Sequence, residues 1–327
     1  MPVDAVPMPA PDAAVRVLPD GSSTSHTSHT PHTSHTSPRR RRSPAADFVA
    51  AALFLIFLFQ VVPCLGGIAL SFFRYDGINP AQWVGADNYR RMAADPTVGA
   101  SLSATLKYAV TAVPLSLVAG LLIALVLDEK WFRGKTLART IFFMPNVISL
   151  VAVAFVWEWL LNPKFGIINT LLKGVGVQGP AWLSDPHTAL LCIVLVQVWH
   201  GLGFSVIVYL AGLQGIPEVY YEAARIDGAS RWQQVKAVTL PLLMPTIMFL
   251  SIMGFIGAFQ VFQTVFMMTG GGPADSTRLI VFYLWQVAFD RVELGYASAI
   301  AVLIFAAVMA LTLIQWRFFR DRVEALT

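Results

Sequence analysis

Charge is scarce in this chain. Of 327 residues only 13% are Asp, Glu, Lys or Arg, while 56% are hydrophobic and mean hydropathy is +0.63. A soluble domain carries about a quarter charged residues, so a wetted globular surface is excluded. Cysteine is nearly missing too: Cys64 and Cys192 are the only two, and both fall in apolar stretches. They read as small apolar core side chains, not as a disulfide or a metal pair. A nucleotide-binding loop is also lacking. Gly134-Lys135-Thr136 looks like the end of one, but the earlier glycine of that pattern falls on Glu129. No nucleophile elbow, His-Glu-x-x-His zinc pair or Rossmann glycine pattern occurs. The chain therefore reads as a non-enzyme that binds no cofactor of its own. The pI near 9.2 comes without a basic groove interleaved with aromatics, so nucleic acid is not an expected partner.

What the chain has is apolar length. Runs near 20 residues recur, enough for helices to cross about 30 Å of hydrocarbon. The expected fold class is an all-α integral membrane protein with six transmembrane helices, at about 46–73, 102–127, 139–161, 188–213, 239–268 and 295–317. The basic residues divide unevenly between the two sides. Arg16, Arg39 to Arg42, Lys130, Arg133, Lys135, Arg139, Arg225, Arg231, Lys236, Arg317, Arg320 and Arg322 make 15 of the 23 Lys and Arg residues. The positive-inside rule then puts both termini and the 214–238 loop in the cytoplasm of a prokaryotic cell membrane.

Residues 1–45 are rich in Pro, Ser, Thr and Ala. They read as a disordered cytoplasmic tail, and 46–327 as the six-span domain. Within the tail His26, His29, His32 and His35 recur every third residue. No Cys or carboxylate completes a metal site there, so low-complexity tail is the favoured reading over weak metal binding.

The most informative segment is a polar island, Glu222-Ala223-Ala224-Arg225-Ile226-Asp227-Gly228, followed nine residues later by Val238-Thr239-Leu240-Pro241. Pro217 can open a short helix through Tyr220, Glu222 and Arg225. Gly228 permits a left-handed turn. Ser230 and Gln233 stand at capping-box spacing and start a second short helix. The expected shape is a bent helical pair projecting from the membrane, with Ala223 and Ala224 forming a thin wall.

This order resembles the EAA loop of ATP-binding-cassette importer permeases, with Val238 where the family usually has Ile. Three further stretches extend the likeness: Trp157-Glu158-Trp159-Leu160-Leu161 with Gly166 and Asn169; Met268-Thr269-Gly270-Gly271-Gly272-Pro273 with Ser276-Thr277; and Gly295-Tyr296-Ala297-Ser298-Ala299. Together they are similar to the carbohydrate branch, which includes the maltose and glycerol-3-phosphate permease subunits, from about residue 46 onward. The chain lacks the maltose subunit's extra spans and large external domain. The resemblance implies that Glu222, Ala223, Ala224, Asp227, Gly228 and Pro241 couple to an ATPase. It also implies the partners: a second related permease subunit, two ATP-binding subunits carrying the ATP and Mg, and an extracytoplasmic solute-binding protein.

Polar groups inside a span are costly and mark function by default. Gln197, His200, Gly201 and Phe204 stand at i, i+3, i+4 and i+7, which puts them on one helix face. Gln and His offer the donors and acceptors that sugar hydroxyls need, and Phe a flat face for a sugar ring. By resemblance, ligand residues cluster around Trp199. Gln260 and Gln263 form a second pair at i, i+3 beside Phe259 and Phe262. These six residues are the expected solute pathway; bundle-holding hydrogen bonds are the competing role for them. Two other classes of protein fit six spans. An ion-coupled secondary transporter needs intramembrane ionisable relays or paired broken helices, and these spans hold almost no carboxylates. A non-transporting membrane scaffold would leave the polar faces idle.

Overall fold

The computed structural model describes residues 44–324 except Lys130 and Phe132, and only the backbone of 44–47 and 321–324. The His-rich tail, Arg16, Arg39 to Arg42 and Lys130 lie outside the described residues. The chain divides into two units, Met1–Leu53 and Phe54–Thr327. The described part of the first is helical from Pro44, with Phe48–Leu53 exposed.

Among the described residues four helices are long and apolar enough to cross a membrane: α1 (Phe48–Leu70), α3 (Pro96–Asp128), α7 (Ala189–Gln214) and α13 (Leu294–Glu324). Two bent pairs bring the number to six if each pair is one span. Between α1 and α3 lie a two-residue hairpin, β1 (Phe73–Arg74) with β2 (Gln82–Trp83), and a short helix α2 (Asp87–Ala94). The first bent pair is α4 (Lys135–Val147) and α5 (Leu150–Leu160), crossing at 94°. After it come α6 (Ile167–Gly174), α7 and α8 (Glu218–Ile226). The second pair is α9 (Arg231–Leu242) and α10 (Met244–Ala258), bent by 66°. Two short helices, α11 (Gln263–Met268) and α12 (Ile280–Asp290), precede α13.

The expected spans at 139–161 and 239–268 are thus not continuous. Pro245 sits just past the second bend, and without an N–H it cannot carry on the hydrogen-bond ladder of α9. The second span ends at Ala258, not at 268, and α12 is an apolar helix that the hydropathy reading passed over. Cys64 is also corrected: it is exposed, on a helix with no buried residue, whereas Cys192 is buried as expected.

In lipid the hydrophobic effect does not drive helices together, so close backbone approach must do so. α7 shows this on two sides. A Cβ added to Gly203 would lie 2.3 Å from the Phe142 carbonyl oxygen of α4. One added to Gly120 of α3 would lie 2.8 Å from Ser205 Cβ. Around these contacts Val206, Tyr209, Leu210, Leu213, Leu243 and Leu250 are buried together.

A polar hub joins the starts of α3 and α13 to α12. Asp95 caps α3 by accepting from the Thr97 N–H at 2.8 Å. Its carboxylate also accepts from the hydroxyls of Tyr283, at 2.5 Å, and Tyr296, at 2.9 Å. Burial raises the Asp95 pKa, but the hydrogen bonds from Tyr283, Thr97 and Tyr296 outweigh it and hold the carboxyl below its usual 3.8. A lowered carboxyl pKa stabilises above the unfolded value and loses that stabilisation as pH falls through the folded one. Asp95→Asn is therefore expected to lower the thermal midpoint at pH 7. The loss should be about 1–2 kcal/mol, modest for charged hydrogen bonds because the site is partly exposed. Thermal unfolding in detergent across pH 7 to 3 checks it: the gap between variant and wild type should close below pH 3.8. A gap that stays constant with pH would show that the carboxylate charge is not what holds the hub.

Candidate functional site: a polar loop and an intramembrane cavity

The loop that leaves α7 folds as two short helices. Pro217, in extended conformation, precedes α8, and Glu218 in its first turn pairs with Arg225 at 3.7 Å. α8 ends in a reciprocal C-terminal closure: Ala229 N–H donates to Ala224 O at 2.9 Å and Gly228 N–H to Arg225 O at 3.1 Å. That pattern requires a left-handed residue, and Gly228 has φ +76°. Ser230 then starts α9, its N–H donating to Gln233 Oε1 at 2.7 Å.

Glu222, Ala223 and Asp227 are exposed on this pair, while Ala224 is half-buried. Beside them Val219, Tyr220, Ile226 and Trp232 are exposed large hydrophobics, Ile226 at 86%. Charge and exposed apolar surface thus stand side by side on this face. Pro241 is half-buried in the last turn of α9. The turn before it is widened: Leu240 N–H reaches back five residues to Val235 O. The Tyr221 hydroxyl, 3.0 Å from Thr239 Oγ1, fastens α8 to this turn.

The second feature is a cavity of about 320 Å³ between α3, α7 and α10. Gln197, Gly201 and Phe204 line it from α7, as their shared face predicts. Tyr108 and Ser116 line it from α3, Ser205 from α7, and Gly254 and Gly257 leave room on α10. Tyr108 and Gln197 line the cavity together, and Ser116 Oγ lies 3.4 Å from Ser205 Oγ. Tyr108 and Ser116 escaped the sequence reading. With Ala112 they stand at i, i+4 and i+8, a spacing that a search for polar groups on the second span would have caught.

Three expected residues are placed differently. His200 does not line the cavity; its Nε2 lies 3.2 Å from Ile148 O, at the bend between α4 and α5. A carbonyl freed by a helix break needs a partner, and the imidazole supplies one. Gln260 and Gln263 do not share a helix face. α10 ends at Ala258 and α11 begins at Gln263, so the break separates them, although both are exposed and Val261 between them lines the cavity.

Residues 116–324 match the model of the family described as binding-protein-dependent transport system inner membrane component. The chain belongs to this family. It is a multi-pass membrane permease of the ATP-binding-cassette importer type. It is 34% identical over 285 residues to the probable ABC transporter permease protein YurN of Bacillus subtilis, covering 86% of this chain and 97% of that one. It is 33% identical over 271 residues to the trehalose/maltose transport system permease protein MalF of Thermococcus litoralis, covering 83% and 91%. Among solved structures, a chain of a bacterial alginate ABC transporter in complex with alginate pentasaccharide-bound periplasmic protein superposes with a TM-score of 0.76 at 22% identity, covering 85% of this chain and 94% of that one. At that identity the superposition speaks for the fold alone.

Proposed function

We propose that this permease forms half of the membrane channel of a sugar importer. Relatives named for trehalose and maltose, lactose, and sulfoquinovosyl glycerol support the sugar assignment. A second related permease subunit completes the channel, and a solute-binding protein delivers the sugar from outside. Two ATP-binding subunits, which hold the ATP and Mg, sit on the cytoplasmic side. Both termini of this chain and the Glu-Ala-Ala loop face that side, in keeping with the excess of Lys and Arg there.

The observation that carries the reading is continuity. The loop's second helix, α9, runs through one 66° bend into α10, which lines the cavity. Glu222, Ala223, Ala224, Asp227 and Gly228 meet the ATPase, and Pro241 seats the end of α9. Closure of the ATPases pushes on α8 and α9, and the push reaches the cavity through the bend. Residues 1–45 are a tail outside this machinery, and 46–327 the channel-forming domain.

In the cavity Gln197 offers both a donor and an acceptor, Gly201 leaves room, and Phe204 presents an apolar face. Gln260 and Gln263 extend the polar path beyond it, and His200, outside the cavity, holds the bend between α4 and α5. One hydrogen bond nets about 0.5–1.5 kcal/mol, a factor of about two to ten in affinity. Gln197→Leu, Gln260→Leu and Gln263→Leu are each expected to raise the apparent KM for sugar uptake by such a factor, with membrane abundance unchanged. Uptake of several labelled sugars into cells with matched expression checks it. If all three variants lose abundance while the surviving permease keeps wild-type KM and selectivity, the amides only pack the bundle.

A further inference from the structure

The cavity has three walls, α3, α7 and α10. Two of them are continuous with the Glu-Ala-Ala loop: α7 leads into it and α9–α10 leads out. α3 is not. Its nearest approach in sequence is Glu129, just past its last turn, 102 residues before Arg231. Yet Arg231, the first residue of α9, donates from Nη1 to Glu129 Oε1 at 2.7 Å. The end of α3 is further fixed by Lys135 Nζ, which donates to Asp128 O at 2.8 Å. Behind the pair lies a cavity of about 550 Å³, lined from α3 by Leu125 and Asp128 and from the loop by Tyr221 and Gln234. Ala124 and Leu127 are buried on the other face of α3, so the gap lies only on its loop-facing side, and there the ion pair bridges it.

We propose that Glu129 and Arg231 are positioning residues for coupling: their ion pair ties the third cavity wall to the loop, so that a push on α9 moves α3 and α10 together. This rests on the reading of the loop as the ATPase contact. As a stability element the pair is weak, since Arg231 is 76% exposed and exposed ion pairs contribute little. Its worth lies in where it acts. Without it, the push reaches α10 through the backbone, while α3 follows only through its packing on α7 and α10, with no tie from its cytoplasmic end to the start of α9. The end of α3 then lags behind α9, and ATP is hydrolysed with less sugar moved.

The test uses the complete importer, with its partner subunits and loaded binding protein, in liposomes. Uptake and ATP hydrolysis are measured together for wild type, Glu129→Arg, Arg231→Glu, the double charge swap, and Arg231→Lys. Each charge reversal is expected to lower sugar moved per ATP about fivefold, the size of one exposed ion pair of about 1 kcal/mol. The double swap, which restores the attraction with the charges exchanged, should return the ratio to within about twofold of wild type. Arg231→Lys, which keeps the charge, should stay near wild type and serves as the readout if a reversal fails to accumulate. Wild-type ratios in both reversals, or a double swap no better than the singles, overturn the tether. If Arg231→Lys alone can be assayed, a fivefold fall in it does the same. Wild-type liposomes that take up no sugar would overturn the importer reading itself.

Discussion

Gly228→Pro abolishes sugar uptake and leaves the permease in the membrane. Proline fixes φ near −65° and has no N–H. Gly228 sits at φ +76° and its N–H donates to Arg225 O at 3.1 Å. Both requirements fail at once, and with them the turn that sets α8 against α9. Space is not the issue, because a Cβ at 228 would meet nothing within 4 Å. Gly228→Ala should accordingly be milder, losing roughly 1–2 kcal/mol of turn stability through its left-handed backbone. Insertion depends on apolar length elsewhere, so abundance should be unchanged. The measurement is uptake together with stimulation of ATP hydrolysis by loaded binding protein, both expected at background for Gly228→Pro. Glu222→Lys, a charge reversal on the exposed face of α8, should behave alike. Wild-type stimulation in either variant would remove the coupling role from the loop.

Gly203→Val is expected to prevent the permease from accumulating at all. Here conformation is ordinary and space decides. The Cβ would lie 2.3 Å from Phe142 O and 2.6 Å from Phe143 Cα, and these are backbone atoms of α4 that cannot swing aside. Overpacking of a tight interior costs about 1–3 kcal/mol even where side chains can adjust, and a valine adds two methyls to the clash. Gly99→Ala is the control: its Cβ meets nothing within 4 Å, and alanine favours a helix over glycine by roughly 1 kcal/mol. Membrane abundance and thermal midpoint in detergent should fall sharply for Gly203→Val and hold for Gly99→Ala. A Gly203→Val permease as stable as wild type would mean that α4 and α7 do not pack as described.

Much of this was legible in the residues. Apolar length located the spans, since lipid demands it whatever the packing. The loop was readable because its chemistry is local: Gly228 for the turn, Ser230 and Gln233 for the next helix start. The bends were harder. Hydropathy is blind to direction, and Val147–Leu150 is as apolar across its 94° break as a straight helix would be. That blindness also misplaced Gln260 and Gln263, because a shared face presupposes an unbroken helix. His200 reads onto the face of Gln197, Gly201 and Phe204, but it turns from the cavity to a carbonyl of residue 148, and no periodicity within one helix reports on the neighbour. Tyr108 and Ser116 were visible and overlooked, being mild polar groups in a long apolar run.

The glycine contacts of α7 have a mechanical consequence. A helix seated against backbone on two sides, at Gly203 and opposite Gly120, cannot roll about its own axis without riding up out of its notches. α4 and α7 therefore travel as one plate, with α3 seated on it at Gly120 and its end beyond Ala124 held separately. Whatever swings during a transport cycle must pivot at the two elbows, near residues 148 and 243, and the plate between them sets the stroke.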